Sequence, residues 1–179
     1  MAHFFFLTVK LFCHIIDPMP RIARIVAPGL PHHITQRGNR LMKIFLDDAD
    51  CERYLHFLNK YKRKHGLEIL AYCLMSNHVH LIAIPKEPHS LARSLADSHM
   101  SYAKHFNWKY SQSGHLWEGR FYSCTMDENH TMAAVRYVER NPVRAHLVQR
   151  AWDYRWSSAP AHVGICPTNF SPAVGRNRT

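Results

Sequence analysis

The sequence predicts an α+β fold of the ferredoxin-like kind, an antiparallel sheet with element order β-α-β-β-α-β and an additional C-terminal helix. Two adjacent apolar runs separated by a pair of turn-forming residues indicate a central hairpin. Two long amphipathic segments flank this hairpin, and a strand-like run lies outside each of them. This order of elements is that of the split β-α-β arrangement.

Length and composition favour one globular domain. The chain has 179 residues, of which 46% are hydrophobic and 20% charged, which excludes a disordered or fibrous protein. We assign the domain to residues 19–163. Residues 1–18 form an apolar stretch that is too short for a membrane span and lacks the features of a signal peptide, so we expect a non-native or disordered extension. Translation could start at Met1 or at Met19. Residues 164–179 lack apolar periodicity and predict a flexible tail.

The first half of the domain predicts a strand and a helix. The strand covers His32–Arg37 and is closed by a Gly-Asn turn pair. The helix covers Asp48–His65, where apolar residues recur at three- and four-residue spacing. Either Asp47 or Asp48 can cap its beginning, and Gly66 ends it.

The central hairpin comprises Leu67–Met75 and residues 78–84, with Ser76 and Asn77 between them. Pro85 then interrupts the chain. A second helix is predicted from residue 90 to about residue 108, with its apolar residues along one side.

The last elements are a strand over residues 116–126 and a helix over residues 128–140. Asp127 can cap this helix at its beginning, and we expect Pro142 to end it. This is the additional helix that follows the six elements of the ferredoxin-like order.

Charge and cysteine content narrow the class of partner and the compartment. Lys and Arg number 23 against 13 Asp and Glu, a net charge of +10, which makes nucleic acid the first partner to consider. The five cysteines are odd in number and form no CxxC pair. This pattern argues against a disulfide framework and favours a reducing, cytoplasmic location.

A candidate metal site begins at His78 and His80. Alternate residues of a strand share one face, so both imidazoles can converge on one cation. The chain contains 15 histidines, and an HxH pair can therefore also arise by chance.

The following helix offers a second group on one helical face. Tyr137 and Asn141 are four residues apart. The amide oxygen of Asn141 is a hard donor suited to completing a Mg²⁺ or Mn²⁺ site. Taken alone, Tyr137 is more typical of a core or interface tyrosine, and Asn141 of a helix C-cap.

A basic and aromatic segment offers contacts for DNA. Arg136, Arg140 and Arg144 recur at four-residue spacing, and Arg120 lies upstream among aromatic residues that include Trp117. Cationic groups hold phosphates and aromatic faces stack unpaired bases, which is how single strands are bound. A solvated arginine face with ordinary core aromatics is the alternative.

Taken together, these motifs resemble a known family. SNHVHLI followed by YVERNPVRA is similar to the REP-associated tyrosine transposases of the HUH single-tyrosine superfamily. The resemblance extends over about residues 20–163 and includes PGLPHHITQRGNR, HLWEGRFYS and YRWSSA. The Asn in the place where related insertion-sequence transposases usually have Gln points to the REP-associated branch.

The resemblance implies a function and a set of residues. It implies an enzyme that cleaves and rejoins single-stranded DNA next to a REP-like hairpin through a 5′-phosphotyrosine. Tyr137 would be the nucleophile, and Mg²⁺ or Mn²⁺ would be bound by His78, His80 and Asn141. Its partner would be single-stranded or hairpin DNA, without a membrane, and the protein would be a monomer or homodimer. The predicted DNA-binding residues are Arg136, Arg140, Arg144, Arg120 and Trp117, with Arg37 and Asn39 from the QRGNR motif.

Two other functions remain open on the same residues. A non-catalytic protein on this fold would bind a hairpin without forming a covalent adduct. A metal-dependent hydrolase would use His78 and His80 to activate water, would leave a free 5′-phosphate and would tolerate loss of the Tyr137 hydroxyl.

Overall fold

A four-stranded antiparallel sheet forms the centre of the molecule. The computed structural model describes residues 25–166, so the predicted extension over residues 1–18 and the tail beyond residue 166 lie outside the described residues. The strands pair in the order β2-β3-β1-β4. This is the arrangement expected of a ferredoxin-like fold and confirms the prediction. The strands are β1 (His32–Arg37), β2 (Leu67–Met75), β3 (His78–Pro85) and β4 (Tyr122–Thr125).

The helices begin and end close to the predicted residues. Asp47 caps the first helix by accepting the backbone N–H of Asp50, and Gly66 ends it in the left-handed conformation at φ 67°. The third helix is capped by Asp127, which accepts the N–H of His130 at 2.8 Å. The helices are α1 (Asp48–His65), α2 (Ser90–Lys109), α3 (Glu128–Glu139), α4 (Asn141–Arg144) and α5 (Ala159–His162), and Asn39–Leu41 and Ala151–Asp153 form 3-10 turns.

Helices α1 and α2 cover one face of the sheet, which we call the helix face. The strands contribute alternate apolar residues to this face, and the helices contribute their apolar stripes. These side chains form the main core of the protein. Its members include Ile34, Tyr72, Leu74, Val79 and Leu81 from the sheet, and Tyr54, Leu58, Leu91, Leu95, Tyr102 and Phe106 from the helices.

The opposite face of the sheet, which we call the site face, is covered by α3 over part of its area. Val135 and Val138 of α3 are buried against a second, smaller apolar cluster from β2 and β3. The strand members of that cluster are Ala71, Cys73, Met75 and Ile82.

The fourth strand is shorter than predicted. The regular ladder with β1 covers only Tyr122–Thr125, whereas the prediction covered residues 116–126, of which Glu118 makes a single backbone hydrogen bond to Arg37. The earlier part of that segment follows the end of β1 irregularly: Leu116 accepts the N–H of Asn39 at 2.8 Å. The ladder is then interrupted, because the carbonyl of Gly119 accepts the side-chain amide of Gln36 at 3.1 Å instead of a backbone N–H.

The helix α3 ends one residue before the predicted boundary, and not because of proline. It ends at Glu139, and Arg140 leads into the separate short helix α4. Pro142 lies near the beginning of α4, where a residue without N–H is tolerated. The proline therefore begins a new helical turn instead of ending the previous one.

The segment after α4 closes the outer edge of β2. The N–H of Leu74 donates to the carbonyl of Trp156 at 2.9 Å, and the N–H of Ser158 donates to Tyr72 at 3.0 Å. The hydroxyl of Ser158 also donates to Glu139 at 2.6 Å, which ties the end of α3 to this segment. Across residues 25–166 the structure contains no helix of the length and hydrophobicity that a membrane span requires. The cysteines at positions 51, 73, 124 and 166 are free thiols.

Candidate active site

The two predicted histidine ligands lie side by side on the site face. In the register of β1 with β3, Thr35 is opposite His80 and Arg37 is opposite His78. The rings of His78 and His80 are perpendicular, with centroids 4.9 Å apart. The alternation of strand residues therefore places both imidazoles on one face, as predicted.

Helix α3 brings Tyr137 to the same place. Its ring centroid lies 6.1 Å from that of His80, and the two rings meet edge to face. The guanidinium carbon of Arg144, in α4, lies 5.0 Å from the centre of the tyrosine ring, within cation–π distance. Strand β3 and the much later segment of α3 and α4 thus meet around one phenol.

The side chain of Asn141 contacts the backbone of the helix that carries Tyr137. The residue belongs to α4 and not to the last turn of α3, yet its side-chain amide donates to the carbonyls of Tyr137 at 2.9 Å and of Val138 at 3.2 Å. Asn141 therefore caps the end of α3. This is the structural role that the sequence analysis gave as the alternative to metal binding. These bonds engage its nitrogen and not its amide oxygen, so the cap and a ligand role are compatible.

The structure adds a residue that sequence reasoning missed, His33 on β1. Its Nε2 lies 3.1 Å from Nδ1 of His80, and the two rings are nearly parallel, with centroids 5.3 Å apart. Its ring also lies 6.1 Å from that of Tyr137. Alternation along β1 could have indicated it, because His33, Thr35 and Arg37 share one face of that strand.

Burial keeps these imidazoles neutral. It lowers the pKa of His33 to about 4, and burial together with the charge of Arg37 lowers the pKa of His78 to about 4. The pKa of His80 is held well below its ordinary value of 6.5 by burial first, and then by neighbouring histidines and the charges of Arg37 and Arg144. Neutral imidazoles have the lone pair that a cation requires.

The donor set fits a divalent cation. The hydrogen bonds of both predicted ligands run through Nδ1: that of His78 is 2.7 Å from the amide oxygen of Asn77, and that of His80 faces His33. Among the described residues Nε2 of each ring makes no hydrogen bond, and the amide oxygen of Asn141 is the further donor that the sequence predicts. Within residues 25–166, no three or more His, Cys, Asp or Glu side chains are grouped to bind a metal ion. The candidate set consists of the imidazoles of His78 and His80, and its third donor is the amide oxygen of Asn141.

The predicted DNA-binding residues fall into separate groups. Arg37 lies at the histidine site, opposite His78 in the pairing of β1 with β3. Arg136 and Arg140 are exposed near the end of α3. Asn39, Trp117 and Arg120 line a cavity of about 610 Å³ between α2 and the segment before β4. The indole N–H of Trp117 donates to the carbonyl of His99 at 2.9 Å, which fixes the ring at the wall of this cavity.

The fold and site together define a class: a ferredoxin-like α+β protein with a histidine and tyrosine site on one face of the sheet. The model of the IS200-like transposase family matches residues 29–141, and this chain belongs to that family. The matched segment includes His33, both predicted histidine ligands, Tyr137 and Asn141. Transposases cut and rejoin DNA, so the chain is assigned to this class of enzyme.

The comparison with solved structures supports the fold through a match with a TM-score above 0.5. A REP-associated tyrosine transposase bound to a REP hairpin superimposes with a TM-score of 0.64 at 21% identity, covering 87% of this chain and 93% of that chain. A candidate transposase from Deinococcus radiodurans R1 gives a TM-score of 0.47 at 20% identity, covering 68% of this chain and 97% of that chain. No curated protein sequence matches this chain significantly.

Proposed function

We propose that the protein cleaves and rejoins single-stranded DNA next to a REP-like hairpin, with Tyr137 as nucleophile and a 5′-phosphotyrosine as intermediate. The observation that carries the proposal is the 6.1 Å separation of the Tyr137 and His80 rings on one sheet face. A phenol beside a pair of neutral imidazoles combines a nucleophile with a potential cation site.

His78, His80 and Asn141 are the residues that would hold Mg²⁺ or Mn²⁺. When bound there, the cation supplies positive charge that polarises the scissile phosphate. The phenol oxygen of Tyr137 attacks the phosphorus while the bond from phosphorus to the 3′ oxygen breaks. The phenol proton passes to solvent, and the departing 3′ oxygen takes up a proton to become a hydroxyl.

The basic side chains support phosphate binding at this site. Burial lowers the pKa of His80 most and the charges of Arg37 and Arg144 lower it further, so their field is positive at His80, beside which we propose that the phosphate binds. Arg144 also stands over the tyrosine ring, where it can hold the phosphate and stabilise negative charge that develops on the phenol oxygen.

The intermediate stores the bond for rejoining. A phenolate with an ordinary pKa of about 10 is a better leaving group than an alkoxide. The 3′ hydroxyl of a second strand end can therefore attack the phosphotyrosine and release Tyr137. This reversibility distinguishes a strand transferase from a hydrolase.

We propose that the remaining basic and aromatic residues bind the hairpin and its single-stranded flank. Arg136 and Arg140 are exposed at the end of the helix that carries Tyr137. The cavity of Asn39, Trp117 and Arg120 offers an aromatic wall and a cation, a combination suited to an unpaired nucleotide. The proposed location is the cytoplasm, and the protein would act as a monomer or homodimer.

The test is incubation of the purified protein with a single-stranded REP-like hairpin and Mn²⁺, followed by a denaturing gel. We expect a covalent protein–DNA adduct that disappears in Tyr137→Phe, because this variant loses only the attacking oxygen. Tyr122→Phe is the matched control: Tyr122 lies opposite Thr35 on the same sheet face and should keep the adduct.

Three other outcomes would reject the proposal. An adduct that survives Tyr137→Phe moves the nucleophile to another residue. Cleavage that leaves a free 5′-phosphate and persists in Tyr137→Phe identifies a metal-dependent hydrolase. Hairpin binding by the wild-type protein, with neither cleavage nor adduct, identifies a non-catalytic binding protein.

A further inference from the structure

The imidazole pair of His33 and His80 poses a question of proton placement. Nε2 of His33 and Nδ1 of His80 share one hydrogen bond of 3.1 Å. A hydrogen bond between two imidazole nitrogens contains one proton, so one of the two rings donates it and the other accepts it.

The choice of donor decides what His80 can bind. If His80 donates from Nδ1, its Nε2 has a lone pair and can coordinate a cation. If His33 donates from Nε2, the proton of neutral His80 lies on Nε2, and no lone pair remains there for a metal ion. The same hydrogen bond thus either prepares or blocks a ligand.

The other predicted ligand, His78, has a hydrogen bond that determines which of its nitrogens is protonated. Nδ1 of His78 faces the amide oxygen of Asn77 at 2.7 Å, and an amide oxygen only accepts. The amide nitrogen of Asn77 donates to the carbonyl of Leu41, which sets the orientation of the group. His78 therefore has its proton on Nδ1 and its lone pair on Nε2.

We propose that His33 is a positioning residue, which accepts the Nδ1 proton of His80 and so fixes His80 with its lone pair on Nε2. The role in metal binding rests on the proposed function, in which His80 is a ligand. In this role His33 takes the place beside a ligand histidine that a carboxylate or backbone carbonyl usually has. The other neighbour of this nitrogen, the hydroxyl of Thr35, is 3.5 Å away and can donate as well as accept, so it does not select a tautomer.

The experiment observes the tautomer directly in protein labelled with ¹⁵N-histidine. Long-range ¹H–¹⁵N correlation spectra distinguish a ring protonated on Nδ1 from one protonated on Nε2, and the His80 signals are assigned by their loss in His80→Gln. Three variants are compared. His33→Gln provides an oxygen acceptor near the original Nε2, His33→Phe keeps a ring without any acceptor, and Thr35→Val removes the weaker contact.

We expect His80 to be protonated on Nδ1 in the wild type, in His33→Gln and in Thr35→Val, and to lose this preference in His33→Phe. The affinity for Mn²⁺, measured by calorimetry without DNA, should fall 10–100-fold in His33→Phe and recover in His33→Gln. Protonation of wild-type His80 on Nε2, or unchanged His80 spectra in His33→Phe, would overturn the inference.

The failure of this inference differs from the failure of the proposed function. If wild-type protein forms the adduct but His80 keeps its tautomer in His33→Phe, only the role of His33 is wrong. If His33 controls the tautomer but the wild type neither binds Mn²⁺ nor forms the adduct, the inference about the proton holds and the proposed function fails. Should His33→Phe unfold, the tautomer of wild-type His80 still decides the inference, because protonation on Nε2 would overturn it.

Discussion

The two faces of the sheet are built from alternate residues of the same strands, yet they have different compositions. On β3, Val79 and Leu81 are buried in the core beneath α1 and α2. Their neighbours His78 and His80 point to the opposite face, where Tyr137 lies. Residues adjacent in sequence therefore belong to separate layers, so stability and chemistry should respond to different substitutions.

The faces also differ in how burial is compensated. On the helix face, most buried side chains are apolar and their burial is favourable, but His99 of α2 is also buried there, which lowers its pKa to about 3. On the site face, α3 covers an apolar area, but His33 and His80 lose contact with water and are compensated mainly by their mutual hydrogen bond. The buried histidines of the site face should therefore make the stability of the protein depend on pH, together with His99 on the helix side.

The largest contrast should come from two adjacent substitutions. Leu81→Ala removes a fully buried side chain and should lower the free energy of unfolding by about 2–5 kcal/mol, with cleavage retained in the fraction that stays folded. His80→Ala should remove most cleavage and cost about 1 kcal/mol for its lost hydrogen bond. Urea denaturation and the adduct assay measure the two effects.

Hairpin affinity provides the control for His80→Ala, because phosphate and base contacts should carry it without the cation. The double variant with Ala at His78 and His80 should bind the hairpin nearly as well as the wild type. Wild-type cleavage rates in that double variant in Mg²⁺ would show that the site assignment is wrong.

Acid should destabilise the protein through the site face. The pKa of His33 and of His78 is about 4 in the folded protein against 6.5 in the unfolded chain, so the unfolded state binds more protons between these values. Stability is therefore fully present above pH 6.5 and is lost as the pH falls, by roughly 2 kcal/mol per histidine at pH 5. Urea unfolding at pH 7, 6 and 5 measures this loss.

The variant His78→Gln should flatten the pH dependence, because one titrating group is removed. The apolar substitution Leu81→Ala should shift the whole curve without changing its slope. Equal free energies of unfolding at pH 7 and pH 5 in the wild type would contradict this account of the buried histidines.

Substitutions of Asn141 should have a smaller effect, which separates into a loss of cleavage and a loss of stability. Asn141→Ala should lower cleavage less than His80→Ala, because water can replace one oxygen donor, and should cost about 1 kcal/mol for the lost cap of α3. Asn141→Asp keeps an oxygen donor but loses the amide that donates to Tyr137. Cleavage should therefore recover in the Asp variant while its thermal stability stays low; the reverse pattern would assign Asn141 to the cap alone.

The smallest effects should come from the arginines. Replacing Arg136, Arg140 or Arg144 singly by Gln should weaken hairpin binding and reduce the slope of log affinity against log salt by about 0.7 for each lost phosphate contact. Arg144→Gln should also slow adduct formation, because its guanidinium lies over the Tyr137 ring. Unchanged salt slopes in all three variants would show that these arginines form a solvated face and do not contact phosphates.

Most of the fold could be predicted because its signals are local. The hairpin of β2 and β3, the cap at Asp47 and the left-handed Gly66 depend on residues close in sequence. The fourth strand could not be delimited in this way. Its length is set by pairing with β1, about 90 residues earlier, and by the diversion of the Gly119 carbonyl to Gln36.

The residues of the candidate site likewise differ in whether local sequence patterns could predict them. The shared face of His78 and His80 follows from alternation within one strand, and the nearness of Tyr137 to Asn141 follows from their spacing. His33 was missed because its partner lies 47 residues away on another strand. Only the register of β1 with β3 places that ring beside His80.

The closure of the β2 edge has a consequence for the synthesis of the chain. An open strand edge is a template for pairing with other chains, and here it is covered by Trp156 and Ser158, which the ribosome makes after every strand of the sheet. Trp156 is fixed in turn by donating its indole N–H to Asp48 on α1 at 3.0 Å. The nascent protein therefore exposes this edge until its last turns emerge, and a fragment truncated before Trp156 would be prone to aggregation through β2.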